Sequence, residues 1–380
     1  MKPFRVEVDE HVIERIRRRL LDAHWAPAPS DDADWTYGAD ARWLRALVEH
    51  WTTAYDWRAA ERGLNRWPQF RASVQGQDIH FYHVKGSAGR ARPLLLTHGW
   101  PGSVIEFQQC IELLAFPERH GGRAEDGFDL VIPSLPGYGF SARPQRPIGP
   151  RGVARLWRGL MVDVLGYREF AAQGGDWGAG VTSWLGIDHA DVTKAIHLNM
   201  LPSWCFVPSE KQGADEAQYH ARVAAVRAKE LGYFAVQTTK PQSLALALAD
   251  SPLGFAAWVC EKFRTWGDTH GDIDSRFDRD VLITNLMLYL VNDAVGPALW
   301  MYRGRAEESP PGVAPPRVEI PTGVALFPAE FIPHPPREVA ERAYAVQRWT
   351  PMPAGGHFAA LEEPVAFSDE VRAFFAQVGY

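Results

Sequence analysis

Asp176, Glu330 and His357 occur in the chain order nucleophile, acid, histidine. A carboxylate that attacks, a base that activates water and an acid that orients the base make a complete set for catalysis through a covalent intermediate. Asp176 lies in Gln173-Gly174-Gly175-Asp176-Trp177-Gly178, with small residues two before and two after it. This is the spacing of a nucleophile elbow, with Asp where Ser usually sits. The glycines have a mechanical reason. A sharp strand-to-helix turn leaves no room for Cβ atoms around the nucleophile and forces unusual dihedrals on it. Such a turn lifts the Asp176 carboxylate to the end of a sheet and points the Trp177 N–H at the reacting atoms from a helix N-terminus. By itself the hexapeptide reads equally well as a glycine-rich turn with a helix-capping Asp. His357 alone would be a surface-loop histidine and Glu330 a carboxylate at a helix start.

An Asp that attacks carbon leaves an alkyl ester, and ester hydrolysis passes through a tetrahedral oxyanion that needs two donors. The Trp177 N–H supplies one. The second is expected from the turn His98-Gly99-Trp100-Pro101, through the Trp100 N–H.

The elements that must position these residues alternate. Phe70–Val74 and Ile79–Val84 read as strands joined by Gln75-Gly76-Gln77. Pro93–Thr97 and Phe128–Pro133 are continuous apolar runs, as in strands buried on both faces. Phe107–Phe116 and Gly152–Leu165 read as helices, Phe170–Ala172 and Val192–Leu198 as strands. Strand–helix alternation predicts a mostly parallel α/β sheet, and each of the three reactive residues follows a strand, where open α/β sheets place their catalytic groups. The chain order of the three is that of α/β-hydrolases. Before Phe70 the apolar stripes of two helices, one starting near Asp9 and one after Asp40, are too short to close a core of their own. From about 201 to 310 the patterns are helical without convincing buried strands, an insertion large enough to be a lid. After the linker Pro310-Pro311-Gly312-Val313-Ala314-Pro315-Pro316, strands resume at Gly323–Phe327 and Ala343–Val346, and a last helix covers about Val365 to Gln377. The division is 1–70 for an N-terminal meander, 71–200 and 311–380 for the α/β core, and 201–310 for a helical cap. Glu330 follows the penultimate strand, a better site for an orienting acid than Glu307 or Glu308 in the charged approach to the linker.

With 380 residues, 46% hydrophobic and 23% charged, the chain has the composition of a soluble globular protein. A net charge of −6 argues against a nucleic-acid partner. The three cysteines share no short spacing, which excludes a disulfide framework or zinc site and fits a reducing, cytoplasmic setting. No apolar run approaches the ~20 residues of a membrane span, and the N-terminus lacks the apolar segment of a signal peptide.

His98-Gly99-Trp100-Pro101-Gly102-Ser103 and Gln173–Gly178 resemble the motifs of α/β-hydrolase epoxide hydrolases, and specifically the microsomal and juvenile-hormone branch. The resemblance covers nearly the whole chain. Phe4-Arg5-Val6 through Trp25 is similar to that branch's N-terminal wrapping domain, and Gly232–Pro241 with Ser251-Pro252-Leu253-Gly254 to its cap. It implies an enzyme without cofactor or metal that takes a small-molecule epoxide and water to a vicinal diol. Two cap tyrosines would donate to the epoxide oxygen, Tyr233 and Tyr302 by their motif context; without the resemblance Tyr219 and Tyr289 are equally eligible. Relatives of this kind include enzymes acting on aromatic and natural-product epoxides, such as those of enediyne biosynthesis. The microsomal enzymes begin with a membrane anchor, whereas this sequence begins at the wrapping domain, as expected of a soluble bacterial relative. Oligomeric state is open, a homodimer included. The rivals are a haloalkane dehalogenase, which shares Asp-Trp at the elbow but needs halide donors in place of phenols, and a non-catalytic ligand-binding protein, which has no use for a general base beside a nucleophile.

Overall fold

In the computed structural model, strands β1 (Lys2–Phe4), β2 (Gln69–Val74), β3 (Gln77–Val84), β4 (Pro93–Thr97), β5 (Asp129–Pro133), β6 (Phe170–Gly174), β7 (Thr193–Leu198), β8 (Val318–Leu326) and β9 (Tyr344–Pro351) form one sheet. Residues 1–380 are described except 91, 207, 209–211 and 310–311, so Pro310 and Pro311 of the expected linker lie outside the described residues. The sheet order is β1-β2-β3-β5-β4-β6-β7-β8-β9. Pairs from β1 to β5 along the first edge are antiparallel, and those from β5 through β4 to β9 are parallel. The central strands β4, β5 and β6 are buried along their full length, which is why they read as mostly apolar runs.

Register is what assembles the site. Thr97 at the end of β4 lies beside Gly174 at the end of β6, so the loops carrying Trp100 and Asp176 emerge together. Leu326 of β8 lies beside Pro351 of β9, so the loops carrying Glu330 and His357 also emerge together.

The N-terminal region is less purely helical than its sequence suggests. Its first residues form β1, whose Lys2 pairs with Arg71 on β2, a strand too short for periodicity to betray. Helices Glu10–Leu21 and Ala41–Thr53 start where expected, because the Asp9 and Asp40 side chains accept from first-turn N–H groups. A third helix, Trp57–Leu64, was not expected. The expected helix at Phe107–Phe116 is instead a 3₁₀ turn, Val104–Phe107, followed by a short helix, Cys110–Ala115. β8 starts at Val318 rather than Gly323 and its pairing is irregular at Pro321, which cannot donate to the ladder. A helix, Arg337–Ala343, also precedes β9.

Among the described residues between β7 and β8 all regular structure is helical, including Ala214–Glu230, Gly232–Thr239, Pro252–Trp266, Arg279–Leu290 and Val295–Glu308. Polar bonds pin these helices to the rest. Asn285 donates to the Pro101 carbonyl at 2.8 Å and accepts from Ser103 Oγ at 2.8 Å, and the Tyr289 hydroxyl donates to the Gly102 carbonyl. From the N-terminal region, Trp43 Nε1 donates to Asp274 at 3.1 Å and Tyr55 shares a bond with Thr284 at 2.9 Å. Among the described residues no single helix is long and apolar enough to cross a membrane.

Candidate active site

Asp176 has φ +48° and ψ −125°, a conformation L side chains rarely adopt, at the junction of β6 and the helix Trp177–Asp188. The crowding that demands small neighbours is explicit. A Cβ on Gly178 would stand 1.9 Å from the Thr97 carbonyl oxygen, and one on Gly99 would stand 2.2 Å from Asp176 Oδ1. The strained turn, the glycine pair of the elbow and the glycine of the neighbouring loop therefore form one packing solution. It brings Trp100 N–H to 2.8 Å from Asp176 Oδ1. The Trp177 N–H, in the first turn of its helix, has no intrahelical acceptor and is free to serve the same oxygen position.

Asp176 Oδ2 faces the histidine. His357 Nε2 is 3.3 Å from it, a close approach without hydrogen-bond alignment. On the other side of the ring, Nδ1 is 3.0 Å from both Glu330 oxygens. Glu330 Oε1 is itself held by the Ile332 N–H at 3.0 Å, and the His357 N–H donates to the Trp266 carbonyl at 3.0 Å. Burial alone would lower the His357 pKa; the Glu330 charge and hydrogen bond and the adjacent Asp176 carboxylate overcome it and hold the imidazole well above its ordinary range.

Tyr233 and Tyr302 are both buried, come from different helices, and meet edge to face with ring centroids 5.8 Å apart. Burial, reinforced by the Asp176 charge, keeps both phenols protonated far above neutrality. The Trp side chains seat them. Trp100 stacks on Tyr233 with centroids 5.2 Å apart, and Trp177 meets Tyr302 edge-on at 4.6 Å. The two residues expected to supply oxyanion donors through their backbones thus also fix the two phenols through their rings. Asp176, Tyr233 and Tyr302 share the wall of one cavity of about 550 Å³. All seven expected site residues are therefore drawn together. The alternative tyrosines are elsewhere: Tyr289 is spent on Gly102, and Tyr219 is buried against Phe206.

Sequence reasoning missed two neighbours. Trp266 ends the helix Pro252–Trp266 and packs on Tyr233 at 5.2 Å and on His357 at 5.1 Å, linking cap to base. Glu106 lines a space of about 10 Å³, together with Asp176, His357, Gly175 and Asn199. That is about the room one water needs. Burial pushes the Glu106 pKa up to about 8, with the His357 charge opposing and Asp176 assisting. The signal was available as Ser103-Val104-Ile105-Glu106, the spacing of a capping box.

A carboxylate on a strained elbow, a histidine paired with an acid, and helices that bring two buried phenols to the same cavity make an α/β-hydrolase-type arrangement. Residues 1–107 match the family described as epoxide hydrolase N terminus, and residues 92–239 match the alpha/beta hydrolase fold family. A putative epoxide hydrolase of Stigmatella aurantiaca is 41% identical over 385 residues, covering 99% of this chain and 85% of the relative. Epoxide hydrolase 1 of Sus scrofa is 33% identical over 405 residues, covering 98% of this chain and 88% of the relative. The crystal structure of juvenile hormone epoxide hydrolase from the silkworm Bombyx mori is similar with a TM-score of 0.89 at 28% identity, covering 100% of this chain and 94% of that one. The chain belongs to the epoxide hydrolase family.

Proposed function

We propose that this protein hydrolyses an epoxide to a vicinal diol through an ester on Asp176. The observation that carries the reading is the pair of buried, neutral phenols that share one cavity with the Asp176 carboxylate. Asp176 Oδ2 attacks a ring carbon, the carbon–oxygen bond breaks, and the leaving oxygen takes a proton from Tyr233 or Tyr302. Esterification removes the Asp176 charge, one of the two that hold the proton on His357. His357 can then release that proton to restore the tyrosine that protonated the leaving oxygen, and so become the neutral base the second step needs. Neutral His357, steadied by Glu330, takes a proton from water, and hydroxide adds to the ester carbonyl. The oxyanion forms on Oδ1, already at 2.8 Å from the Trp100 N–H, with the Trp177 N–H as second donor. Collapse frees the diol and restores the carboxylate. The space bounded by Glu106, Asp176 and His357 is our candidate for the hydrolytic water.

In this reading residues 1–70 wrap the hydrolase core, formed by 71–200 and 311–380, and 201–310 close over it as the cap. Its apolar and aromatic wall suits an aromatic or natural-product epoxide. Three buried free cysteines suit a cytoplasmic setting, and light scattering tests for a homodimer. One observation favours halide displacement instead: the indole N–H groups of Trp100, Trp177 and Trp266 are buried without a hydrogen-bond partner among the described residues. Turnover of styrene oxide against a bromoalkane separates the two. Diol from the epoxide without bromide release supports the hydrolase, and bromide release without diol supports the dehalogenase.

A further inference from the structure

The cavity above Asp176 is walled by aromatic side chains such as Trp204, Phe234 and Phe331, yet two cations, Arg227 and Arg305, also line it. Arg305 follows Tyr302 by three residues on the helix Val295–Glu308, so it lies one turn further along the same face, roughly 5–6 Å away. Its guanidinium covers the Trp204 ring at 4.8 Å, and Trp204 packs on Trp177 at 5.9 Å. A continuous aromatic wall thus runs from the reacting carboxylate to the guanidinium.

Arg305 is short of partners. Its Nε is buried without a hydrogen bond, and among the described residues it makes no ion pair. The acids on its own helix are committed elsewhere. Glu307 pairs with Arg303 at 2.6 Å, and Glu308 accepts the N–H groups of Gly149, Arg151 and Gly152. Burial lowers the Arg305 pKa and the neighbouring Arg227 charge adds to that, with Cys205 and Glu308 opposing, and the guanidinium stays cationic at neutral pH. Desolvating a cation beside a like charge is costly unless an anion arrives to meet it.

We propose that Arg305, assisted by Arg227, binds an anionic group at the end of the substrate remote from its epoxide, so that the substrate is an aromatic or apolar epoxide bearing a carboxylate. The inference rests on the epoxide reading above and narrows it. A carboxylate matches the planar fork of Arg, and the aromatic wall takes the apolar body between the two ends.

The test compares kcat/KM for para-carboxystyrene oxide, its methyl ester and styrene oxide. We expect the acid to exceed the ester by about tenfold or more, the usual value of a charge-assisted bond, with the ratio shrinking as salt is added. Arg305→Met should collapse the acid-to-ester ratio and Arg305→Lys should restore part of it; the ester, measured in each variant, reports folding. An acid-to-ester ratio at or below one, with the ester turned over, overturns the anion subsite and leaves the epoxide reading standing. So does a ratio untouched by Arg305→Met. Failure to turn over all three compounds overturns the epoxide reading and this inference with it.

Discussion

Replacing both Tyr233 and Tyr302 by Phe removes the donors to the epoxide oxygen while keeping the ring contacts that seat them. Those contacts, Trp100 on Tyr233 at 5.2 Å and Trp177 on Tyr302 at 4.6 Å, involve no hydroxyl. Loss of one donor to a developing oxyanion costs about 3 kcal/mol, or about a hundredfold in rate. Here the two rings adjoin in the wall of one cavity, so the survivor in a single variant still lies within that cavity as a donor. Each single change should therefore slow alkylation by about a hundredfold or less. The double change leaves no donor on that side, and an alkoxide would have to leave unprotonated; alkylation should become unmeasurable. The two effects should not add, because both phenols serve one oxygen. The assay is single-turnover Trp fluorescence with styrene oxide, with circular dichroism as the folding control. A folded double Phe variant that alkylates as fast as the parent would refute the reasoning, and bromide release from a bromoalkane by the same variant would favour the dehalogenase.

His357→Gln should permit alkylation but block hydrolysis, leaving substrate mass on the peptide that contains Asp176; absence of that adduct in a folded protein counts against His357 as the base. Glu330→Gln should slow the same step less, since the Nδ1 contacts at 3.0 Å are partly kept by an amide oxygen. Gly99→Ala places a methyl 2.2 Å from Asp176 Oδ1, so it should cut alkylation by about a hundredfold or more with a modest loss of stability, about 1–3 kcal/mol; near-normal alkylation would show that the nucleophile is not held by this contact. Glu106 keeps its proton to about pH 8 when folded but releases it near 4.5 when unfolded, so its contribution to stability is present below pH 4.5 and is lost as pH rises toward and through 8. Thermal melts of Glu106→Gln should accordingly fall less steeply between those pH values than the parent's, and parallel curves would contradict the buried, protonated assignment.

The sequence made the central sheet and the reactive residues legible for physical reasons. β4, β5 and β6 are buried along their full length and so are mostly apolar, and the elbow advertises itself because Gly178 and Gly99 have no room for a Cβ. Asp9 and Asp40 marked helix starts because capping is a local interaction. What stayed hidden depends on long-range pairing. β1 is three residues long and exists because β2 offers an edge. β8 runs through a proline that argued against a strand there. Trp266 touches His357 only because a helix ends above the last loop, and nothing in Thr265-Trp266-Gly267 announces it. Nothing in the sequence around Arg305 tells that the carboxylates of Glu307 and Glu308 bond elsewhere.

The covalent ester on Asp176 is the claim on which the rest depends, and isotope tracing reads it directly. In a single turnover in ¹⁸O-water with enzyme in excess, the diol should carry no label, because its new oxygen comes from Asp176 Oδ2, and the peptide containing Asp176 should gain ¹⁸O. Label in the diol from that first turnover, with an unlabelled Asp176 peptide, would mean that water attacks the epoxide directly and would contradict the account.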